Sequence, residues 1–293
     1  MTKNKFRGTG VAIVTPFRKD DSIDFKAFAK VINYMIDNKV EYIVALGTTG
    51  ESATISEDER HAVIDFAAET IDGRVPLVVG IGGNNTQEVI HKFKKTDLSG
   101  ADAVLTVCPY YNKPSQRGIY EHYKAVSHAS PLPVMMYNVP GRTGMNISAE
   151  TTLKIAHDLK NIIATKEACG NLQQIMDIIR NKPKNFLVIS GDDMLTLPIV
   201  ACGGDGVISV AANACPREFS DLVRMALDHK LPEAQKLQFK LFDIMNELFA
   251  DGSPGGAKAA LHARGMISNY LRLPLVPVND TVYKKIEQLI KNL

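Results

Sequence analysis

Short runs of apolar and β-branched residues recur along the chain, separated by segments with helical periodicity. Near-continuous apolar runs, without polar alternation, are typical of strands buried on both faces of a parallel sheet. Eight runs fit this description and begin roughly every 20–35 residues: Gly10–Val14, Tyr42–Leu46, Leu77–Ile81, Ala103–Val107, Val134–Tyr137, Ile162–Thr165, Phe186–Ser190 and Gly206–Val210. We therefore predict a parallel sheet of about eight strands.

The segments between these runs carry helix-start signals. Ser56 precedes three acidic residues, and Thr86 and Ser148 each precede a short polar stretch that includes a glutamate. Small polar residues before acids are favoured at helix N-termini, where free backbone N–H groups need acceptors. Regular strand–helix alternation implies right-handed crossovers, and eight units can close into a (β/α)₈ barrel. An open, doubly wound sheet remains the alternative, since periodicity alone does not show closure.

The strand pattern stops after about residue 215, and only helical segments follow. The predicted helices are Pro216–Asp228, Pro232–Phe249, Gly256–Arg264 and Thr281–Leu293. The first would complete the barrel. We therefore expect a barrel over residues 1–228 and a small helical C-terminal extension over residues 229–293.

Composition narrows the class of protein. Of the 293 residues, 45% are hydrophobic and 23% charged, and the formal net charge of +2 provides no strong field for nucleic acid or membrane surfaces. No apolar run approaches the roughly 20 residues that span a bilayer, and the N-terminal apolar stretch is predicted to be a strand rather than a signal peptide. The four cysteines lack CxxC spacing, which favours free thiols and a cytoplasmic protein.

Polar side chains gather where the predicted strands end. In a barrel of this kind, functional residues lie at the carboxyl ends of the strands. The groups found there are hydroxyls, one lysine and one arginine, from Thr48, Thr49, Tyr111, Tyr137, Arg142 and Lys166. No histidine or cysteine cluster accompanies them, so a transition-metal site is not expected. The glycine-rich segment 80–85 lacks the last glycine of a dinucleotide loop, so NAD is not expected either.

Lys166 is the only amine at a predicted strand end. Burial disfavours the charged form of an amine, and a neutral amine can attack a ketone to form a Schiff base. The hydroxyls of Tyr137, Tyr111 and Thr48 could then move protons. The alternatives are that Lys166 pairs with Glu167 or caps the strand at the surface, and that the tyrosines only pack.

Arg142 and the Thr48–Thr49 pair could both bind carboxylates. Arg142 follows Pro140–Gly141, a turn signal, and a guanidinium binds a carboxylate through two hydrogen bonds. Thr48 and Thr49 lie between glycines, where hydroxyls and backbone N–H groups could receive a carboxylate. A solvated arginine and an ordinary turn into a helix are the alternatives.

Taken together, the strand ends resemble the dihydrodipicolinate synthase branch of the pyruvate-dependent class I aldolase family. The resemblance runs from Gly10 to Leu275. Its motifs are GTTGES at 47–52, PYYNKPSQ at 109–116, YNVPGRTG at 137–144, KEACGN at 166–171, SGDD at 190–193 and GVISV at 206–210. The first and third motifs favour the synthase over N-acetylneuraminate lyase or 2-keto-3-deoxy sugar acid aldolases.

The resemblance implies a role for each matching residue. Lys166 would form the Schiff base with pyruvate, and Arg142 would bind the carboxylate of aspartate semialdehyde. A proton relay is implied for Tyr137, Thr48 and Tyr111, the last from a neighbouring subunit, while Thr49, Gly191 and Ile208 would contact pyruvate or the lysine. Members are homotetramers built from tight dimers, and they make the cyclic precursor of the diaminopimelate and lysine pathway. They use no metal or organic cofactor, since pyruvate is bound covalently as a substrate.

Three positions depart from the family pattern without removing a catalytic group. Gly141 and Cys169 stand where hydroxyl residues are usual, and the segment 251–258 replaces a more usual Asn-Pro-Ile-Pro-Val-Lys run. A lysine-inhibitor pocket in the family corresponds here to Ser52, Ala53, Glu57, Arg60, Asn84, Glu88 and Tyr110. Glu57 and Arg60 stand where inhibited bacterial members often carry histidine. Arg60 would repel the ligand's ammonium group unless Glu57 or Glu88 neutralises it, and we predict weak or absent inhibition by lysine.

Overall fold

The computed structural model describes residues 5–293, and its eight parallel strands form a closed barrel in sequence order. The strands are β1 (Gly8–Ala12), β2 (Tyr42–Ala45), β3 (Leu77–Gly80), β4 (Ala103–Val107), β5 (Val134–Asn138), β6 (Ile162–Glu167), β7 (Leu187–Ser190) and β8 (Gly206–Ser209). Pairing of β1 with β8 closes the ring, with Gly8 opposite Gly206. The barrel prediction is confirmed, and the open sheet is wrong.

Helices surround the barrel and continue beyond it. They are α1 (Phe25–Asp37), α2 (Glu57–Ile71), α3 (Thr86–Lys95), α4 (Gln116–Ala129), α5 (Pro140–Thr143), α6 (Ala149–Asp158), α7 (Leu172–Asn181), α8 (Thr196–Ala201), α9 (Pro216–Leu227), α10 (Leu231–Lys240), α11 (Phe242–Glu247), α12 (Gly255–Ala263) and α13 (Asp280–Lys291). Ser56 caps α2 in a reciprocal capping box with Glu59, and Ser148 caps α6. The cap of α3 is Asn85, one residue before Thr86.

Some predicted boundaries were wrong. The first strand lies two residues earlier than expected, at Gly8–Ala12, where it pairs with both β2 and β8. The helix predicted over 232–249 is divided into α10 and α11 by a bend at Leu241. The N–H group of Met245 still donates to the Leu241 carbonyl, at 3.0 Å. Helical periodicity therefore continues across the bend, and the sequence pattern does not reveal it.

The buried apolar side chains form an outer layer between strands and helices and a separate layer inside the barrel. The inner layer comes from alternate strand residues: Ala12, Tyr42, Val44, Val78, Leu105, Met135, Tyr137, Ala164, Leu187, Ile189 and Ile208. A barrel filled this way is a packed core rather than a pore. Within the described barrel, the interior is filled and open space for a ligand begins at the ends of the strands.

A bulge in β6 decides which way its last residues point. Val134 of β5 is opposite Ile162, but the next residue, Met135, is opposite Ala164, so Ile163 is an extra residue. Ile162 packs in the outer layer and Ala164 in the inner one. Strict alternation from Ile162 would have placed Lys166 outside the barrel. The bulge reverses the alternation, and Lys166 points inward.

Candidate active site

A cavity of about 460 Å³ opens at the carboxyl ends of the strands. It brings together six of the eight residues predicted to act in catalysis or substrate binding: Thr48, Thr49, Tyr137, Arg142, Lys166 and Gly191. The two that do not line it are Tyr111 and Ile208. These six residues belong to four strands and the loops that follow them, which are far apart in sequence but meet at the same end of the barrel.

Lys166 lies at the base of this cavity with its side chain almost fully buried. The residue is 5% exposed, and its Nζ lies 4.3 Å from the centroid of the Tyr137 ring. Lys166 and Tyr137 are direct partners across β5 and β6. Glu167 instead binds Asn138 and Thr165, away from the amine. The alternatives of a Lys166–Glu167 pair and of a surface cap are therefore wrong.

Burial sets the protonation of both residues. Loss of water lowers the pKa of Lys166 to about 8; Asp193 opposes this shift and Arg142 adds to it. Burial raises the pKa of the Tyr137 hydroxyl to about 12. At neutral pH the tyrosine is therefore a proton donor, and an appreciable fraction of Lys166 is neutral.

Asp193 is a member of the site that sequence reasoning missed. It lines the cavity, and its Oδ2 accepts hydrogen bonds from the N–H groups of Val210 (3.2 Å) and Ala211 (2.8 Å). Its Oδ1 is buried and has no hydrogen-bond partner within residues 5–293. Burial raises its pKa to about 6, so it is ionised at pH 7. Its position, at the carboxyl end of β7 within SGDD, was the signal that could have revealed it.

The loop that presents Thr48 and Thr49 is tied to the C-terminal extension. Glu51, in this loop, adopts a left-handed conformation with φ of 55°, and its N–H donates to the Thr48 carbonyl at 3.0 Å. Its carboxylate forms an ion pair with Lys258 of α12, and both side chains are 0% exposed. The other carboxylate oxygen of Glu51 accepts a hydrogen bond from the backbone N–H of Arg272 at 3.1 Å. More than 200 residues separate the partners, so no local pattern predicts this contact.

Gly191 lies directly against the Lys166 side chain. A Cβ at this position would lie 2.9 Å from Cε of Lys166, closer than carbon atoms pack. The N–H group of Gly191 donates to the Glu167 carbonyl at 2.7 Å, which fixes this approach. Ile208 belongs to the inner barrel layer, and its contribution to the site stays a prediction.

Tyr111 is 89% exposed and lies outside the cavity of its own chain. Its φ of 71° is in the left-handed region, which is unusual for an aromatic residue and holds the ring out from the surface. A single chain therefore does not bring Tyr111 to Lys166. Its expected contribution from a neighbouring subunit stays a prediction.

A second cavity, of about 760 Å³, shares Thr48, Tyr137 and Arg142 with the first. Six of the seven residues predicted for a regulatory pocket line it, namely Ser52, Ala53, Glu57, Arg60, Glu88 and Tyr110, whereas Asn84 does not. The Arg60 guanidinium donates to the carbonyls of Gly80 (3.3 Å) and Ser52 (3.4 Å). The Glu57 carboxylate lies 3.6 Å from Lys95. Glu57 therefore already has a cationic partner other than Arg60.

The departures from the family pattern leave the cavity intact. A Cβ on Gly141 would meet nothing within 4 Å, so the position has room for a larger residue. Cys169 is half-buried, and burial raises the pKa of its thiol to about 11, which keeps it protonated at neutral pH. A Cβ on Gly256 would lie 2.2 Å from the Leu248 carbonyl oxygen, so α12 packs here only with glycine.

Two further kinds of site are not found in the described part of the chain. No group of three or more His, Cys, Asp or Glu side chains there could hold a metal ion. None of the helices between residues 5 and 293 combines the length and apolar character needed to cross a membrane.

A closed (β/α)₈ barrel with a buried lysine beside a tyrosine at its carboxyl end suits the Schiff-base chemistry of a lyase of the class I aldolase type. The chain belongs to the dihydrodipicolinate synthetase family, whose model matches residues 5–293.

Relatives in this family are similar over their full length. The 4-hydroxy-tetrahydrodipicolinate synthase of Flavobacterium psychrophilum is 51% identical, over 98% of this chain and 98% of the relative. The enzyme of that name from Parabacteroides distasonis is 48% identical, over 100% and 99%. The crystal structure of dihydrodipicolinate synthase from Thermotoga maritima is 40% identical and matches with a TM-score of 0.96, over 98% of each chain.

Proposed function

We propose that this chain is a 4-hydroxy-tetrahydrodipicolinate synthase, which condenses pyruvate with L-aspartate 4-semialdehyde in the first committed step of diaminopimelate and lysine biosynthesis. The observation that carries the proposal is the buried amine of Lys166, 4.3 Å from the Tyr137 ring, in a cavity that also holds Arg142. A cation beside a nucleophile suits a keto acid and a second, carboxylated substrate.

The first half-reaction forms the Schiff base. The neutral Lys166 amine attacks the ketone carbon of pyruvate, a C–N bond forms, and the ketone oxygen leaves as water after protonation. Thr49 and the backbone beside it hold the pyruvate carboxylate. Tyr137, protonated because burial raises its pKa to about 12, donates the proton that the departing oxygen needs.

The second half-reaction forms the carbon–carbon bond. Loss of a methyl proton from the iminium gives an enamine, and this carbon attacks the aldehyde carbon of the second substrate. Arg142 orients that substrate through its carboxylate. The substrate's own amine then attacks the iminium carbon, closes the ring and frees Lys166. Thr48, Tyr137 and Tyr111 of a second subunit pass the protons.

Asp193 favours the cationic intermediate. Its carboxyl group is ionised at pH 7, because its pKa is about 6, and it raises the pKa of Lys166 against the effect of burial. The same negative charge stabilises the iminium, which carries its positive charge at the Lys166 nitrogen. Because the amine supplies the electrophilic activation, the proposed reaction requires no metal ion or organic cofactor.

An aldolase that cleaves a sugar acid, such as N-acetylneuraminate or a 2-keto-3-deoxy acid, is the alternative with the same first step. Arg142 in the cavity wall favours the synthase, because a carboxylated aldehyde needs a cation and a sugar needs hydroxyl partners. Turnover of pyruvate with aspartate semialdehyde, compared with N-acetylmannosamine or glyceraldehyde, distinguishes the two. A non-catalytic pyruvate-binding barrel would show no turnover with any of these.

The decisive experiment is reduction with borohydride in the presence of pyruvate, followed by mass spectrometry of peptides. We expect one pyruvate-derived mass increase on the peptide that contains Lys166, and none in the Lys166→Ala variant. An adduct on another lysine, or none at all, would remove the basis of the mechanism.

A further inference from the structure

The two strands that carry Lys166 and Tyr137 are joined by a side-chain hydrogen bond on their opposite face. Asn138 and Glu167 immediately follow the two site residues and are likewise paired across β5 and β6. The Asn138 Nδ2 donates to the Glu167 Oε2 at 2.9 Å. Neither residue lines the cavity, so neither can touch a substrate there.

This bond lies four residues beyond the β6 bulge, at the last of the β5–β6 pairs that follow the shift in register. The bulge at Ile163 shifts the pairing by one residue, and this shift is what turns Lys166 inward. A slip of one residue moves every following side chain to the other face of the sheet. Loss of the bulge would therefore place Lys166 outside and Glu167 inside the barrel.

The surroundings of the pair fit only the observed register. Asn138 and Glu167 are both 0% exposed. The Asn138 Oδ1 accepts from the Ile147 N–H at 3.0 Å, and its Nδ2 also donates to the Asn146 Oδ1 at 2.9 Å. The Glu167 Oε1 accepts from the Thr165 hydroxyl at 3.0 Å. A slipped strand would leave a buried carboxylate and a buried amide without these partners, which is costly.

We propose that Asn138 and Glu167 are positioning residues that hold β6 in its bulged register and so keep the Lys166 amine beside Tyr137. The inference rests on the proposed Schiff-base function of Lys166. Asn138 and Glu167 lie on the outer face of the barrel wall and hold β5 and β6 together. The residue before each of them, Tyr137 or Lys166, then points into the cavity.

The first test compares two substitutions at one position. In Glu167→Gln, the amide oxygen accepts from Asn138 and the amide N–H donates to Thr165, so the cross-strand bond is kept. In Glu167→Met, a side chain of similar length makes neither bond. We expect Glu167→Gln to retain pyruvate trapping within about threefold, and Glu167→Met to lose at least about tenfold in trapping rate. Loss of kcat should exceed any change in KM for pyruvate.

The pH dependence of trapping distinguishes a displaced Lys166 amine from a general loss of protein stability. An amine that has left the cavity regains water, so its trapping midpoint in Glu167→Met should rise from near 8 toward the ordinary lysine value. An unchanged midpoint and rate in a folded Glu167→Met protein would overturn the proposal. Equal losses in the Gln and Met variants would also overturn it.

A substitution on the other strand keeps the proposal testable if Glu167→Met does not fold. Asn138→Leu removes the donor of the cross-strand bond without adding a charge, and trapping should fall at least about tenfold. Asn138→Asp is the matched variant: burial raises the pKa of Glu167 to about 7, so the two adjacent carboxyl groups share one proton and keep a hydrogen bond between the strands. Trapping in Asn138→Asp should therefore exceed that in Asn138→Leu, and equal losses in the two variants would contradict the register role.

A matched control is Thr106→Val on β4. The Thr106 hydroxyl is buried and donates to the Ile81 carbonyl at 2.9 Å, so its removal also deletes a buried hydrogen bond near the site. Trapping in this variant should stay near wild type. If the wild-type protein itself gives no Lys166 adduct, the proposed function fails; if only the variants behave unexpectedly, the positioning role alone fails.

Discussion

At the scale of single residues, the reactivity of Lys166 depends on desolvation more than on any charged partner. Burial is the main cause of its lowered pKa, and the nearby charges of Asp193 and Arg142 act in opposite directions. The result is an amine that is partly neutral at physiological pH yet still becomes a stabilised cation once the iminium forms. The same cavity thus lowers the pKa of the free Lys166 amine and stabilises the positive charge of the iminium.

The rate of Schiff-base formation should follow this titration. With a pKa of about 8, the neutral amine is the minority species at pH 6.5 and the majority species at pH 8.5. We therefore expect the initial rate of pyruvate trapping to rise about 25-fold between these pH values, with a midpoint near 8. Rapid-quench borohydride reduction across pH 6–10 measures it. A midpoint near 10 would show that Lys166 is solvated.

Gly191→Ala should disturb the amine without changing any charge. The new Cβ would lie 2.9 Å from Cε and 3.0 Å from Cγ of Lys166, so the lysine side chain must move. We expect trapping to slow by about tenfold or more while the melting temperature changes little, because the cavity gives the side chain room to shift. Gly141→Ala is the control, since its Cβ would meet nothing within 4 Å. Equal trapping rates in both variants would argue against the contact.

At the scale of elements, the C-terminal extension holds the loop that presents the two site threonines. The buried Glu51–Lys258 ion pair joins this loop to α12, and Lys258 also donates to the Tyr270 carbonyl at 3.0 Å. The Phe17 ring lies 4.2 Å from the Lys258 amine and 4.3 Å from the Arg272 guanidinium. The extension therefore forms part of the support of the site rather than an independent appendage.

Lys258→Met should destabilise the protein by about 3–5 kcal/mol, because it leaves the Glu51 carboxylate buried without its partner. The double variant with Glu51→Gln should recover part of that loss, since no charge remains buried. Urea unfolding at pH 7.5 measures both. Lys291→Met is the control: that side chain is 68% exposed and its partner Glu287 is 39% exposed, so the pair should contribute no more than about 1 kcal/mol. A Lys258→Met loss as small as the control would contradict the prediction.

At the scale of the whole molecule, a single chain is an incomplete catalyst under the proposed mechanism. Every other catalytic residue of the proposal lies in one cavity, but Tyr111 points away from it and is 89% exposed. Tyr111 can act in the proposed proton relay only if it enters the site of another copy of the chain. We therefore propose that two copies of the chain exchange Tyr111 in a dimer, and the resemblance to the family extends this proposal to a homotetramer of two such dimers.

Complementation between two inactive variants tests this exchange. Lys166→Ala lacks the nucleophile, and Tyr111→Phe should lose about 10²-fold or more in turnover through loss of a proton-transfer group. In a mixed dimer, one site has an intact Lys166 and receives an intact Tyr111 from its partner. We expect activity to return after the two are unfolded and refolded together, but not when they are merely mixed. No recovery in verified mixed dimers would contradict the exchange of Tyr111 between chains.

Inhibition by lysine should be weak or absent. Arg60 lines the second cavity, and Glu57, which could have offset its charge, lies 3.6 Å from Lys95 instead. A bound lysine ammonium would therefore be repelled by a guanidinium whose charge Glu57, shared with Lys95, offsets only in part. Steady-state assays with 0.1–20 mM lysine, a range of about two orders of magnitude, measure the effect. Half-inhibition below 1 mM, about −4 kcal/mol of binding, would contradict the prediction. Arg60→His should then increase sensitivity.

Elements with strong local signals were predicted well, and contacts between distant segments were not. The eight apolar runs gave the strands to within a few residues, and the Ser56 and Ser148 caps gave two helix starts, because these signals depend on neighbours in sequence. The bend at Leu241 was missed, because hydrogen bonding and periodicity continue across it. The Glu51–Lys258 pair was missed, because charge in a sequence does not reveal burial.

The sequence by itself determined the strand–helix order, the polar groups at the strand ends and the family to which they point. Only the tertiary structure decided that Lys166 faces the cavity. Its orientation depends on one extra residue in β6 and on how β5 pairs with it, and pairing across strands is not encoded in local periodicity. The lowered pKa of Lys166 likewise follows from desolvation, which exists only after the barrel has closed.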